Sequence, residues 1–188
     1  MNIGKINRAN QAKRAVKIKT AVVLLIAGVL LIGGTVWLVK YVGKQEGDLP
    51  GQLYPEISKE HIAIGAEHPP YNSNPPTSGH HYGQAAEWGV YKEQMPDEQL
   101  IHNLEHGGVW ISYKPGISDE IVKNLEGMFD KYGRKKIIVT PRPENDTDIA
   151  LAVWTRLEKF NVSEYSDERV ENFIRRLKNK TGPEPFAP

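Results

Sequence analysis

The apolar residues divide the chain into one long uncharged stretch near the N-terminus and a series of shorter periodic segments after it. Residues 20–39 read TAVVLLIAGVLLIGGTVWLV and contain no charged side chain. As a helix, this stretch spans ~30 Å, about the thickness of the hydrocarbon core of a bilayer. Trp37 and Tyr41 lie near its C-terminal end, where aromatic rings favour the membrane interface. The pattern predicts a transmembrane helix over residues 20–41.

Charged residues on either side of this stretch predict its orientation. Residues 1–19 contain six basic and no acidic side chains, whereas residues 42–57 carry charges of both signs. Because basic flanks stay on the cytoplasmic side, residues 1–19 are predicted to form a cytoplasmic tail, and the rest of the chain is predicted to be extracytoplasmic. The apolar run exceeds the roughly 7–15 residues of a signal peptide and has no Ala-x-Ala exit. A single-pass anchor in the cell membrane is therefore expected.

Charge and cysteine content exclude two kinds of chemistry. Without the six basic residues of the tail, the chain carries 18 basic and 23 acidic side chains, a net charge of −5. Nucleic acid is not an expected partner, because phosphate binding needs a clustered basic surface. The chain has no cysteine, so thiolate is excluded both as a nucleophile and as a metal ligand.

The periodic segments of the C-terminal half predict a small α+β domain. VWISYK, KKIIVT and IALAVWTRLEKF are predicted strands, and the segments starting at Ser118 and Ser166 are predicted helices with one apolar face. The order is β-α-β-β-α, with the first two strands parallel and the third paired back on the second as a hairpin. This predicts a two-layer domain over residues 58–182, between a linker at 42–57 and a frayed tail at 183–188.

Residues 61–95 lack a clear period but are rich in proline and aromatic residues. Their centre, HPPYNSNPPTSGHHY, contains two Pro-Pro pairs that favour extended backbone, together with several turn formers. A disordered linker would be poor in aromatic residues, whereas Tyr71, Tyr82, Trp88 and Tyr91 recur here. We therefore predict a long, ordered, Pro-rich loop, a kind of element that is commonly functional.

Histidines supply the candidate chemistry, and all six lie between positions 61 and 106. His102 and His106 are four residues apart on a predicted short helix that ends at Gly107, so both imidazoles can approach one ion. At ~100° per residue they lie away from the apolar flank of the helix, and they face either solvent or a second segment laid over the helix. A pair binds metal weakly, so further ligands would have to come from the Pro-rich loop.

The segment HNLEH is also a literal H-x-x-E-H, the pattern of inverted zinc peptidases, in which two histidines bind zinc and the glutamate activates water. In this hydrolase interpretation Glu105 is the catalytic residue. In the alternative interpretations, Glu105 accepts a hydrogen bond from an imidazole N–H or is a solvated side chain. The predicted domain is much smaller than those peptidases, which makes hydrolysis the least favoured interpretation.

The segments EHIAIG, YNSNPPTSGHHY, EWGVY and HNLEHGGVWISY resemble the domain of unknown function 3105, a set of membrane-anchored, mostly bacterial proteins. The resemblance runs from about position 58 to the final helix. It implies an anchored extracytoplasmic domain and brings no activity. Four histidines fall on the family's motif positions, and the resemblance implies these as metal ligands: His61, His81, His102 and His106. His80 stands where a proline is usual, and His68 lies outside the motif.

The main hypothesis is therefore a His-rich site for zinc or copper in a membrane-tethered domain, since imidazole ligands suit both metals. Four protein ligands would make the site closed and structural, and three would leave it open and catalytic. The alternative hypothesis is a non-enzymatic interaction module without metal. In that case the Pro-rich, aromatic loop would bind another protein of the cell envelope.

Overall fold

The computed structural model describes residues 3–47 and 49–187 and contains two compact units that divide after residue 48. The first unit is one helix, α1 (Ile3–Gly47). Its segment Val22–Tyr41 is long and apolar enough to cross a membrane, and a signal sequence would meet the same criteria. The large apolar side chains of this segment are exposed. Because α1 continues to Gly47, the first residues of the predicted linker are helical.

The second unit begins at Leu49 and is a mixed α+β domain, which confirms the predicted class. Its elements within residues 49–187 are, in chain order, β1 (Gln52–Leu53), β2 (His61–Ile62), β3 (His81–Tyr82), β4 (Gly89–Val90), α2 (Asp97–Glu105), β5 (Val109–Tyr113), α3 (Asp119–Lys131), β6 (Ile137–Pro141), β7 (Ile149–Val153), β8 (Arg156–Phe160), a 3-10 turn (Val162–Glu164) and α4 (Asp167–Leu177).

Six of these strands form one mixed sheet in the order β1-β8-β7-β5-β6-β4, and β2 pairs with β3 in a separate parallel ladder. Strands β5 and β6 are parallel and are joined through α3, as predicted. The Ser118 hydroxyl accepts a hydrogen bond from the Glu120 N–H at the start of α3 (3.3 Å), which satisfies one of the free donors at this helix end.

The last predicted strand differs from the structure. IALAVWTRLEKF forms two antiparallel strands, β7 and β8, and β7 pairs with β5 rather than β6, so the predicted hairpin was wrong. The turn between them, Trp154-Thr155, contains no glycine or proline, and Thr155 has a φ of +61°. The Thr155 N–H donates to Thr77 O (3.0 Å), and the Tyr54 N–H donates to Thr155 O (2.8 Å). Distant residues therefore stabilise a turn that the local sequence does not signal.

The sheet separates two apolar cores, because alternate residues of its central strands point to opposite faces. One core contains Val109 and Ile111 of β5 together with the apolar stripes of α3 and α4. The other contains Trp110 of β5, the apolar flank of α2, and aromatic residues from the irregular segments before α2. The predicted two-layer arrangement is thus extended by a third layer, formed by α2 and the segments that precede it.

The Pro-rich segment is tied to this third layer by Arg142, which is 5 % exposed. Arg142 donates from Nε and Nη2 to the Asp97 carboxylate (2.9 and 2.7 Å) and from Nη1 to Asn74 Oδ1 (2.6 Å). Residues 75–79 are buried. One buried guanidinium therefore joins the Pro-rich segment to the start of α2.

The two ends of the domain also pack on it. Strand β1 lies within the predicted linker 42–57 and pairs with β8. At the other end, the Glu184 N–H donates to Glu105 O (3.1 Å), and Lys136 Nζ donates to the carbonyl oxygens of Pro185 and Ala187. The C-terminal residues thus contact the end of α2 and differ from the frayed tail that the sequence predicts.

Candidate metal centre

Helix α2 is buried from Leu100 to its last residue, Glu105. Its apolar residues pack on the sheet, and the flank that carries His102 and Glu105 faces β3. Gly107 lies just past the end of the helix, as predicted; it has a φ of +76° and donates its N–H to Leu104 O (2.9 Å). The sequence leaves open whether these side chains face solvent or a second segment. In the structure they face a second segment that lies over the helix.

That segment is the β2–β3 ladder, which brings two more histidines to α2. His61 and His81 are paired directly in the parallel register. The His81 N–H donates to Glu60 O, and the Gly79 N–H donates to Ser58 O, both at 3.1 Å. The ladder thus holds the two imidazoles side by side over the helix.

Four side chains converge where the ladder meets α2: His61, His81, His102 and Glu105. One donor atom from each lies within 4.8 Å of all the others. Glu105 Oε2 is 3.1 Å from His81 Nε2 and 3.4 Å from His61 Nε2. The rings of His61 and His102 stack with centroids 4.9 Å apart, and the His81 ring meets both edge-on.

Backbone carbonyls define the orientation of two of these rings. His81 Nδ1 donates to Gly79 O (2.8 Å), and His102 Nδ1 donates to Tyr82 O (2.7 Å). Each Nε2 is therefore the nitrogen that the ring directs to the cluster. Histidines that bind metals commonly have this second-nitrogen contact, because it selects the tautomer and orients the lone pair.

Glu105 and His81 need a proton or a cation between their facing atoms. Its side chain is 8 % exposed, and its Oε2 approaches imidazole nitrogens. A neutral His81 with its proton on Nδ1 would place two acceptors against each other, because its Nε2 carries a lone pair and a carboxylate only accepts. A second proton on His81 or a metal ion between the two atoms removes this conflict, since buried charges are paired or coordinate metals.

The four donors lie within 4.8 Å of one another, and two of their distances are close to those of a metal site. With metal–donor bonds of about 2.0–2.2 Å, the donors of a tetrahedral zinc site lie roughly 3.3–3.6 Å apart. The two contacts of Glu105 with imidazole nitrogens, 3.1 and 3.4 Å, are close to this spacing. Imidazole and carboxylate ligands suit first-row metals such as zinc and copper.

A comparison with protein families identifies the family of the domain. The family described as "Protein of unknown function (DUF3105)" matches residues 65–188. The chain belongs to this family. The candidate residues on β3 and α2 lie within the matched part of the DUF3105 domain, and His61 lies just before it. The comparisons with curated proteins and with solved structures found no match.

His106 of the DUF3105 domain lies next to the four-donor group rather than in it. Its Nε2 is 3.2 Å from His102 Nε2 and 3.7 Å from the Glu184 carboxylate. The i, i+4 spacing therefore does bring His102 and His106 together, as the sequence predicts.

The backbone of His106 contacts Lys136, whose Nζ donates to the His106 carbonyl (2.6 Å). Burial lowers the pKa of Lys136, and the charges of Lys135 and Lys178 lower it further.

His68 and His80 have partners outside the cluster. His80 Nε2 lies 3.4 Å from a Glu60 carboxylate oxygen. His68 donates from Nδ1 to Pro69 O (2.8 Å), and its Nε2 lies 3.2 Å from Glu98 Oε1. The bond to the Pro69 carbonyl and the nearby Glu98 carboxylate raise the pKa of His68, while burial opposes the shift. Of the adjacent pair 80 and 81, it is His81 that points to α2.

Sequence reasoning assigned Glu105 to catalysis or to an outer contact and did not include it in the ligand set. Its sequence signals are its position in H-x-x-E-H and its place between the apolar flank and the histidine flank of α2, and neither identifies it as a ligand. Glu184 was missed altogether, because it lies in a segment without periodicity, and its position depends on the contacts of the C-terminal residues with α2.

Proposed function

We propose that this DUF3105 domain binds a zinc or copper ion through His61, His81, His102 and the Glu105 carboxylate, outside the cytoplasm and tethered to the membrane by α1. The observation that carries the proposal is the approach of His81 Nε2 to Glu105 Oε2 at 3.1 Å, while His81 Nδ1 donates to a carbonyl. Both atoms accept hydrogen bonds in their unprotonated forms, and a cation between them makes the arrangement favourable.

His106 remains a proposed ligand from the sequence, and its Nε2 is 3.2 Å from that of His102. Two roles are compatible with this distance. His106 either binds the same ion as a further donor or donates its N–H to His102 and so competes with the ion. Glu105 in contact with two imidazoles is better suited to a ligand than to the water-activating base of a H-x-x-E-H hydrolase.

The tether is proposed from Val22–Tyr41, a 20-residue apolar segment in α1. The basic residues before it favour a cytoplasmic N-terminus. Protease added to intact cells should then degrade the DUF3105 domain and spare the N-terminal tail. Protection of the domain in intact cells, with degradation only after lysis, would contradict this orientation.

The metal proposal is tested by the metal content of the full chain purified in detergent without a polyhistidine tag or chelator. Mass spectrometry should find about one zinc or copper ion per chain, and His81→Ala and His102→Ala should lose it, because both remove a buried imidazole ligand. His68→Ala and His80→Ala are matched controls outside the cluster and should retain the ion. A folded, metal-free wild-type protein that binds no added zinc or copper would refute the proposal and support the envelope interaction module.

Glu105→Gln and His106→Ala separate the two neighbouring donors. If Glu105 is the ligand, Glu105→Gln should weaken binding more than the about 10- to 100-fold loss that is typical of residues that only orient ligands. His106→Ala should have the smaller effect on the metal dissociation constant, measured by competition with a chelator of known affinity. The reverse order would assign the ligand role to His106.

A further inference from the structure

The four proposed ligands differ sharply in access to solvent. The His61 side chain is 52 % exposed, whereas the side chains of His81 and Glu105 are 0 % and 8 % exposed. His102 as a whole residue is 7 % exposed. The site therefore has three buried donors and one donor at its mouth.

His61, the exposed ligand, is also the one whose ring is held by the fewest hydrogen bonds to the backbone. His81 and His102 each have Nδ1 bonded to a backbone carbonyl, whereas the hydrogen bond of the His61 ring within the described chain is made by Nε2 alone. His61 lies on the two-residue strand β2, which among residues 49–187 pairs with β3 alone, and the residues that follow at 63–67 are exposed. Its ring can thus rotate into water without disturbing the core.

From these two differences we infer that His61 is the exchangeable ligand of the site. The ion enters and leaves on the His61 side, and a nitrogen or oxygen donor from outside the chain takes the His61 position on the metal. The inference rests on the metal binding proposed above and gives the site a role in exchanging its ion or binding an external ligand, rather than in closed structural support.

The physical reason is the cost of releasing each ligand. A closed structural site keeps all its protein ligands in place, and a reactive or exchanging site keeps three and leaves one position for a small ligand. Releasing His81 would leave its Nε2 lone pair buried without a partner, because its side chain is 0 % exposed. Releasing His61 exposes the ring to water, where its nitrogens find hydrogen bonds.

The test uses the full chain in detergent, loaded with cobalt(II), whose visible absorption reports the ligands of the ion. In His61→Gly the ion should stay bound with an altered spectrum, and added imidazole should restore the wild-type spectrum because the vacated space opens to solvent. In His81→Gly imidazole should restore nothing, because the vacated space is enclosed. His80→Gly, the neighbouring control, should match the wild type throughout.

Two results would overturn the inference while metal binding stands: His61→Gly loses the ion and imidazole does not recover it, or its spectrum equals that of the wild type without imidazole. A wild-type chain that binds no cobalt, zinc or copper would instead refute the metal site itself. The rate of zinc transfer to a chromogenic chelator provides a second measurement that does not depend on the folding of His81→Gly. His61→Ala should release zinc faster than the wild type and His80→Ala at the wild-type rate; equal rates for all three would count against the inference.

Discussion

Helices α2 and α4 pack on opposite faces of one sheet, but they bury different kinds of side chain. All buried residues of α4 are apolar, as expected for an amphipathic helix. α2 buries His102, Asn103 and Glu105 in addition to its apolar residues. Buried polar groups cost free energy unless they are hydrogen-bonded or paired. The α4 face can therefore be understood from packing alone, whereas the α2 face needs specific partners.

The three buried polar side chains of α2 differ in the kind of partner that their polar atoms contact. Asn103 is satisfied by backbone, because its Oδ1 accepts from the Ala86 N–H (2.9 Å) and its Nδ2 donates to Ala86 O (2.8 Å). His102 donates from Nδ1 to the Tyr82 carbonyl, and its Nε2 lies 3.2 Å from His106 Nε2. Glu105 meets only imidazole nitrogens among its side-chain contacts within residues 49–187. The difference between the two helices thus separates a face of the sheet that is explained by apolar packing from a face that carries the candidate site.

The largest expected effect comes from the α4 face. Phe173 is fully buried there, and Phe173→Ala should lower the free energy of unfolding by about 3–5 kcal/mol through lost burial and a residual cavity. Denaturant unfolding with and without added metal measures this. The loss should be the same under both conditions; a loss that depends on metal would show that the two faces are coupled.

Metal removal should have the next largest effect, and it should act through the α2 face. A ligand at one hundred times its dissociation constant stabilises the folded state by about 2.7 kcal/mol. Zinc at that excess should raise the unfolding temperature of the wild type, and a chelator should reverse the rise. His102→Ala should show neither response, whereas Phe173→Ala should retain both. A metal response that persists in His102→Ala would contradict the proposed ligand role.

The contact of the C-terminal residues with α2 should give a smaller effect. Gly182 has a φ of +92°, and a Cβ there would lie 2.3 Å from Glu105 O. Gly182→Ala should therefore destabilise the domain by more than about 1 kcal/mol. Gly127 in α3 has no such neighbour within 4 Å, and the control Gly127→Ala should stabilise by roughly 0.5–1 kcal/mol. Equal effects of the two substitutions would mean that the C-terminal residues do not contact α2 in solution.

The smallest expected effect is a pH dependence from His68, at the edge of the α2 face. Its pKa is raised above the ordinary value of 6.5, mainly by the Pro69 carbonyl. The folded state therefore holds the proton more tightly than the unfolded state, and the stabilisation is full below pH 6.5 and is lost as the pH rises through the folded-state pKa. The stability difference between wild type and His68→Gln should shrink across this interval in urea unfolding experiments. A difference that is independent of pH would rule out this contribution.

Sequence reasoning succeeded where local patterning governs structure. The apolar stripe of α4 and the helix start at Ser118 are local features, and both are present in the structure. The split of the last strand was not predictable, because its turn has no glycine or proline and is stabilised by Thr77 and Tyr54. Two-residue strands such as β1 and β4 are too short to show an alternation.

The candidate site likewise combines features that one helix determines with features that depend on distant segments. The spacing of His102 and His106 is a property of one helix, and the structure has these rings together. Whether Glu105 or His106 joins the other donors depends on the direction from which β2 and β3 approach α2. At ~100° per residue, Glu105 and His106 lie on either side of His102 at comparable angles, so the helix alone does not decide between them.

The pairing of β2 with β3 also has a topological consequence. Their register sets residue 61 beside residue 81, so the whole intervening segment is a closed loop with both ends at the cluster. Closing a loop costs chain entropy that grows only slowly with its length. An ion bonded to both end residues would close this loop only while His61 is bound, so this closure would be reversible, unlike that of a disulfide, which a chain without cysteine cannot form.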